Sequence, residues 1–190
     1  GMIGAAAACL LARSSQNYKT GPLSIALIEA TPASPFDASH FDPCVAAITE
    51  KSRQLLDRCG VWSAIAETRV SPFQAMEVWD AEGTGRIQFN ASEIDQPNLG
   101  HIIENSLMVE SLLAEVAALN NIDFICPAKI VDYQQTDDEL GIELDDGRYL
   151  QARLLIAADG ANSSVRQHFD FATKEWDYGH RAIVSTIQTE

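Results

Sequence analysis

The sequence predicts an α/β fold in which helix–strand units are interrupted by antiparallel hairpins. Residues 2–15 are rich in alanine and leucine, which predicts a helix, and a short buried strand follows at 24–29. Near the other end, an apolar strand over 148–157 stops at the turn opened by Asp159 and Gly160. Because helix–strand units build an open layer and hairpins build a separate sheet, we expect an α/β layer with an inserted antiparallel sheet.

The segments between these two ends alternate between periodic runs and turn sequences. Residues 31–43 hold three prolines and several small polar residues, which predicts a loop. Amphipathic helices are expected at 46–58, where Gly60 supplies a C-terminal cap, and at 106–119. Apolar alternation and flanking turns predict the remaining elements. These are strands at 74–80, 85–90, 122–125, 129–135, 141–144 and 181–189, and a short helix at 162–168.

Composition narrows the class of protein. Acidic residues outnumber basic ones by 27 to 13 in 190 residues, giving a net charge of −14. This balance disfavours nucleic-acid binding and electrostatic attachment to anionic lipid, both of which need basic surfaces. No apolar run is long enough to span a bilayer, and the apolar opening lacks the basic region of a signal peptide. We therefore expect a cytoplasmic protein.

The four cysteines predict neither a disulfide framework nor a metal site. They are scattered along the chain, without a C-x-x-C pair or clustered histidines. Cys9, Cys59 and Cys126 lie among apolar neighbours, which is typical of reduced core thiols. No metal ligand is therefore assigned.

The pattern Asp159-Gly160-x-x-Ser163-x-x-Arg166 is the most specific motif of the chain. A strand that ends in such a turn presents a loop at the carboxyl edge of an open sheet, where ligands bind. Asp159 can accept a hydrogen bond from a hydroxyl, and Gly160 lets the backbone approach a bulky ligand. Arg166 can pair with a phosphate or a carboxylate. The motif predicts a binding corner.

A second candidate corner lies at the start of the chain. Gly1-Met2-Ile3-Gly4 is similar to the second half of G-x-G-x-x-G, in which a helix N-terminus receives a pyrophosphate. Glu29, at the end of the next strand, is the expected acceptor for adenosine ribose hydroxyls. The first glycine and the preceding strand are absent, so we expect weakened or absent dinucleotide binding. Alternatively, Gly1 is an expression remnant before a start at Met2.

The Asp159 motif resembles the Asp-Gly motif of flavin-dependent aromatic monooxygenases, the class typified by para-hydroxybenzoate hydroxylase. Four further segments are similar to the ubiquinone-biosynthesis hydroxylases, closest to the 2-polyprenylphenol hydroxylase branch. They are Cys59-Gly60-Val61-Trp62, Met76-Glu77-Val78-Trp79-Asp80, Gly100-His101-Ile102-Ile103-Glu104-Asn105 and Trp176-Asp177-Tyr178. Each is weak alone, but their order makes the set specific, and the resemblance covers nearly the whole chain.

The resemblance implies a Rossmann-like FAD-binding layer, here without its first strand, formed by residues 1–72 and 100–170. Residues 73–99 and 171–190 are then pieces of the inserted substrate-domain sheet. The implied reaction hydroxylates a polyprenylated phenol in ubiquinone biosynthesis, using FAD, O₂ and NADPH or NADH. The cofactor carries the chemistry, so no catalytic side chain is assigned. The implied cofactor-binding residues are Gly1, Gly4, Glu29, Asn105, Asp159, Gly160 and Arg166.

Two departures from the family pattern affect the expected FAD binding and activity of this chain. Cys44 stands where the resembled enzymes have a flavin-contacting arginine, and cysteine lacks that charged fork. The resembled enzymes are also about twice as long, which predicts an amino-terminal half that is inactive alone and holds FAD weakly or not at all. Two alternatives stay open: a related FAD oxidoreductase of the halogenase or prenyl reductase type, and a non-catalytic relic or assembly module. Homo-oligomerisation, peripheral attachment to the inner membrane and association with a ubiquinone-biosynthesis complex are also left open.

Overall fold

The structure, a computed structural model, describes residues 1–187 and divides into two compact units. Unit 1 comprises Gly1–Ser34 with Val116–Ile183, and unit 2 comprises Pro35–Glu115 with residues 184–187. In chain order the elements are α1 (Met2–Ser14), β1 (Ile25–Ile28), β2 (Val45–Thr49), α2 (Glu50–Arg58), α3 (Trp62–Thr68), β3 (Ser71–Phe73), β4 (Ala75–Trp79), β5 (Arg86–Asn90), β6 (Gly100–Glu104), α4 (Asn105–Ala118), β7 (Ile122–Ile125), β8 (Ile130–Gln135), β9 (Leu140–Leu144), β10 (Tyr149–Ala152) and α5 (Ser164–His168).

Unit 1 contains the α/β part of the fold. β1 and β7 pair in parallel, from Ile25 opposite Ile122 to Ile28 opposite Ile125, and α1 packs against β1. The buried face of α1 consists of small residues at helical spacing: Ala5, Ala8, Cys9 and Ala12. Because these side chains are short, the helix axis can approach the strand closely. The predicted α1 and the strands at 24–29 and 122–125 are confirmed.

An antiparallel meander completes unit 1. The strand order is β10–β9–β8, and Leu140, Ile142 and Leu144 of β9 are buried together with Ile125 and Ala128. Alternating residues of a strand share one face, so the three β9 side chains all reach this core. The strands predicted at 129–135 and 141–144 are confirmed.

Unit 2 is built on a three-stranded antiparallel sheet with β6 in the centre, in the order β2–β6–β3. Val45 lies opposite Glu104 and Thr49 opposite Gly100, and α2 packs against β2 and β6. β4 and β5 form a separate exposed hairpin, which confirms the strands predicted at 74–80 and 85–90. The elements α3, β3 and β6 are not predicted from the sequence.

The helix predicted over 46–58 is wrong in its first turn. Residues 45–49 form β2, because β6 offers them a hydrogen-bonded partner that a sequence pattern does not reveal. The helix begins only at Glu50, where the Thr49 hydroxyl accepts a hydrogen bond from the backbone N–H of Ser52 at 3.3 Å. Gly60, with φ of +84°, follows the end of α2 as predicted.

Two predicted strand segments do not form in the described chain. Residues 154–157 follow β10 without strand structure, and Leu154 and Ile156 are 73% and 51% exposed. A strand needs a neighbour for its backbone hydrogen bonds, and none of the strands described up to residue 187 pairs with this segment. Residues 181–187 also form no strand, and residues 188 and 189 of that prediction lie outside the described residues.

The helices described between residues 1 and 187 include none with the length and apolar character needed to cross a membrane. Whether residues 73–99 and 171–190 belong to a substrate domain stays a prediction. Among residues 1–187, no group of three or more His, Cys, Asp or Glu side chains is arranged to hold a metal ion.

We predict that Gly100→Ala destabilises the protein by about 1–3 kcal/mol. An added Cβ at this central-strand position would collide with the backbone carbonyl of Ile48 and approach the Phe73 ring to 3.0 Å. Gly85→Ala is the control, because its Cβ would meet only the Cβ of Asp80, at 3.9 Å. Urea unfolding checks both changes, and equal midpoints for the two variants would contradict the close approach of β2 and β6.

Candidate functional site

The start of α1 offers unpaired backbone donors in unit 1. Gly1 is the N-cap residue, its carbonyl accepts the N–H of Ala5 at 3.1 Å, and within the described chain no side chain caps this end. The first turn also lacks an acidic residue. Because the first N–H groups of a helix have no partner within it, this end can receive an anion.

Gly4 sits where α1 meets two other parts of unit 1. A Cβ built on Gly4 would lie 3.4 Å from Cδ1 of Leu27 in β1 and 3.6 Å from Cβ of Ala158. Residue 158 immediately precedes Asp159, so the helix start and the Asp159 motif adjoin. The two corners that the sequence analysis singled out are therefore brought together within one unit.

Glu29 lies at the end of β1 beside the same helix start. Its carboxylate pairs with the amino group of Gly1 and accepts the backbone N–H of Thr31 at 3.3 Å. Partial burial raises the pKa of Glu29, but these hydrogen bonds, with one from the Ala30 N–H, outweigh it and hold the pKa below its ordinary value. The carboxylate is therefore ionised at neutral pH and able to accept hydroxyl hydrogen bonds.

Asp159 organises the turn before α5. One carboxylate oxygen accepts the backbone N–H of Val165 at 3.3 Å and the hydroxyl of Ser164 at 3.4 Å. Partial burial raises the pKa of Asp159, yet hydrogen bonds from the Ser163 hydroxyl and the Val165 N–H outweigh it, so the pKa is lowered overall. The aspartate thus supports the start of a five-residue helix in addition to its predicted ligand role.

Gly160 and Arg166 complete this corner. Gly160 has φ of +82°, and apart from its two chain neighbours none of the described residues places an atom within 4 Å of where its Cβ would lie. The backbone there is open to an approaching group. The Arg166 guanidinium donates to the carbonyl of Ala161, and its backbone N–H donates to the Ser163 hydroxyl at 3.0 Å. Arg166 therefore folds back on the turn in this structure.

Asn105 belongs to unit 2, whereas the other six predicted cofactor-binding residues belong to unit 1. It is the first residue of α4, and its backbone N–H donates to the carbonyl of Cys44 at 2.9 Å. Its side-chain Oδ1 is buried without a hydrogen-bond partner among residues 1–187. A buried acceptor without a donor is costly, which fits a position that receives a hydrogen bond from a bound group.

The loop before β2 is set by Asp42. Its carboxylate accepts the backbone N–H groups of Cys44 at 2.8 Å and Ser106 at 3.2 Å. The Cys44 hydrogen bond is the main cause that holds the pKa of Asp42 below its ordinary value, against a smaller effect of burial. Cys44 itself is exposed, so its thiol faces solvent.

A charged pair in the same unit is not predicted from the sequence. Arg69 lies 3.2 Å from Oε2 of Glu104, whose side chain is only 5% exposed. The available signal was an acid at the end of the apolar run 100–104, since a buried carboxylate needs a partner. Its partner lies 35 residues away in the sequence, and no pattern identifies it.

Comparison with known proteins confirms the resemblance along the whole chain. The 3-demethoxyubiquinol 3-hydroxylase of Escherichia coli is 32% identical over 191 residues, which cover 100% of this chain and 47% of the relative. The mitochondrial ubiquinone biosynthesis monooxygenases COQ6 of Xenopus tropicalis and Homo sapiens are 32% and 30% identical, with 98% of this chain covered and 42% and 41% of theirs. No family model matches. The chain is homologous to ubiquinone-biosynthesis hydroxylases and spans about half their length.

Solved structures confirm the fold. Pseudomonas aeruginosa PqsL in complex with 2-aminobenzoylacetate aligns over 94% of this chain and 46% of its own, with 19% identity and a TM-score of 0.71. A variant of Klebsiella pneumoniae HpxO complexed with FAD aligns over 88% of this chain and 40% of its own, with 18% identity and a TM-score of 0.59. The predicted α/β class with a Rossmann-like layer is confirmed.

Gly160→Ala should destabilise unit 1 by about 1 kcal/mol, because φ of +82° is unfavourable for a residue with a Cβ. The space around the position is open, so the cost is conformational. Gly160→Asn is the matched control, since asparagine tolerates this region better. Urea unfolding should rank glycine first, asparagine second and alanine last; alanine as stable as glycine would exclude the left-handed turn.

Asp159→Asn should make stability less dependent on acid pH. A carboxyl whose pKa in the folded protein lies below its ordinary value stabilises the fold above that ordinary value, and the contribution is lost as pH falls through the folded pKa. The variant should therefore be less stable at neutral pH, and the difference should shrink below about pH 4. Urea midpoints measured from pH 7 to pH 2 check this, and a gap that widens in acid would contradict it.

Proposed function

We propose that this chain is part of a flavin-dependent monooxygenase that hydroxylates a polyprenylated phenol in ubiquinone biosynthesis, using O₂ and NADPH or NADH. Its homologues are ubiquinone-biosynthesis hydroxylases, which supports a phenolic or quinone-precursor substrate. Because the chain spans about half their length, the activity belongs to a protein of the relatives' extent. A cytoplasmic location, at the membrane where a polyprenylated substrate resides, accompanies this proposal.

One observation carries the FAD assignment: the first turn of α1 adjoins the Asp159 corner within unit 1. The dinucleotide needs phosphate donors, a ribose acceptor and open backbone close together. The N–H groups at the start of α1 supply the first, Glu29 the second, and the unobstructed backbone at Gly160 the third. These residues of unit 1 fit FAD, and within unit 2 the buried Asn105 acceptor fits a hydrogen bond from a bound group.

Bound FAD would supply the redox chemistry that activates O₂ for transfer to the ring. The chain's own residues would bind and orient the cofactor. Glu29 would hold the adenosine ribose hydroxyls, Gly1 and Gly4 would leave room for the pyrophosphate at the helix start, and Asp159 with Gly160 would shape the opposite wall. Arg166 would reach a phosphate only by releasing the carbonyl of Ala161. No side chain of this chain is assigned a proton-transfer step.

A second candidate is a non-catalytic module derived from such an enzyme. Cys44 favours it, because an exposed thiol cannot donate the bidentate hydrogen bonds of an arginine. Titrating FAD into this chain and into a form extended to the relatives' length separates the two. Binding and NADPH oxidation in the extended form support the enzyme, whereas neither property in either form supports the module.

The ribose role of Glu29 predicts a selective loss of affinity. Glu29→Gln should weaken FAD binding about tenfold, the effect of losing one charge-assisted hydrogen bond. FMN binding should stay unchanged, because FMN has no adenosine ribose. Glu82→Gln, which removes a carboxylate from the exposed hairpin turn, is the matched control for net charge. Fluorescence titration with both flavins measures this, in the extended form where the chain alone binds too weakly.

Equal weakening of FAD and FMN by Glu29→Gln would remove the ribose assignment. Equal effects of Glu29→Gln and Glu82→Gln would attribute the loss to net charge alone.

A further inference from the structure

The Arg69 side chain, in unit 2, contacts two backbone carbonyls and two aromatic rings of one loop. Following directly after α3, it donates from Nη1 to the carbonyl of His40 at 3.0 Å and from Nη2 to the carbonyl of Ala38 at 2.6 Å. Its guanidinium also lies over the rings of Phe41 and Phe36, at 4.4 and 5.1 Å. One side chain therefore holds residues 36–41, a segment without helix or strand structure.

The same guanidinium binds the end of β6. Nη1 lies 3.3 Å from Oε1 and 3.2 Å from Oε2 of Glu104. Glu104 Oε1 also accepts the backbone N–H of Asp42 at 2.6 Å. Because Glu104 is buried, these donors compensate its carboxylate, and removal of Arg69 leaves that carboxylate poorly compensated.

Asp42 links Glu104 to the start of α4 through hydrogen bonds. Its carboxylate accepts the N–H groups of Cys44 and Ser106, while the N–H of Asn105 donates to the Cys44 carbonyl. The chain of contacts therefore runs from Arg69 through Glu104 and Asp42 to Cys44 and Asn105. Every link is a hydrogen bond or ion pair within unit 2.

We propose that Arg69 is a positioning residue: through Glu104 and Asp42 it fixes the hydrogen-bonded pair Cys44–Asn105 at the start of α4. The functional consequence rests on the proposed function and on the cofactor-binding role that the resemblance implies for Asn105. Arg69 touches neither the cofactor nor the substrate in this role. It sets the backbone that presents Asn105 and the Cys44 position.

A lysine at position 69 cannot replace this arrangement. Its single ammonium group can pair with Glu104, but it lacks the planar fork that reaches two carbonyls and a carboxylate at once. Arg69→Lys therefore separates charge compensation from positioning. It should keep the urea midpoint close to that of the parent while releasing the loop.

Amide hydrogen exchange tests the positioning directly. In Arg69→Lys, exchange at Asp42, Asn105 and Ser106 should quicken about tenfold, because the local opening becomes easier. The amides of β9 in unit 1 serve as internal reference. Arg86→Met is the control variant, since it breaks a 2.6 Å ion pair with Glu77 on the exposed hairpin and should leave the three amides unchanged.

FAD titration of the same variants provides the second readout, in the extended form if needed. Arg69→Lys should weaken FAD about tenfold without a loss of global stability, which a merely structural residue would not do. Glu104→Gln, which is nearly isosteric, should also raise the exchange rate of the same three amides. It is the alternative variant if the Arg69 variants fold poorly.

Unchanged exchange at Asp42, Asn105 and Ser106 in both Arg69→Lys and Glu104→Gln overturns the proposal, whatever happens to FAD. If amide exchange is faster but neither the unsubstituted chain nor its extended form binds FAD, the positioning role of Arg69 stands and the proposed function is removed. Faster exchange with unaltered FAD affinity overturns the flavin consequence while the parental protein still binds FAD.

Discussion

The close approach of α1 to β1 and to residue 158 is the constraint on which the α/β unit depends. It requires a helix face without large side chains, and Ala5, Ala8, Cys9 and Ala12 provide one. Gly4 extends that face to the first turn, where Leu27 and Ala158 lie at van der Waals distance from its missing side chain. Small residues on this face allow the helix start, the end of β1 and the Asp159 corner to lie close together.

Carboxylates that bind backbone N–H groups set the loops of both units. Glu29 holds Thr31, Glu104 holds Asp42, Asp42 holds Cys44 and Ser106, and Asp159 holds Val165. Each fixes a turn next to a helix or strand end, where unpaired donors concentrate. Part of the acidic excess, a net charge of −14, is therefore structural, although most of the other acids remain available to solvent.

Local signals were readable from the sequence, and long-range ones were not. The turn at Asp159 and the short helix that follows it are predicted from the sequence, because all of their partners lie within eight residues. The sequence predicts a helix over 46–58 although residues 45–49 form β2, because the ladder partner of β2, β6, is more than 50 residues away. The segment 154–157 has strand composition, but none of the strands between residues 1 and 187 pairs with it. The Arg69–Glu104 pair escaped for the same reason, since only the fold brings the two side chains together.

In the proposed function, the start of α1 and the Asp159 corner bind one dinucleotide together. Amide chemical shifts recorded during an FAD titration test it most directly. The amides of residues 2–4 and 160–163 should move together and yield one dissociation constant, while those of β9 stay still. Movement of only one group, or two different dissociation constants, would contradict a single shared site.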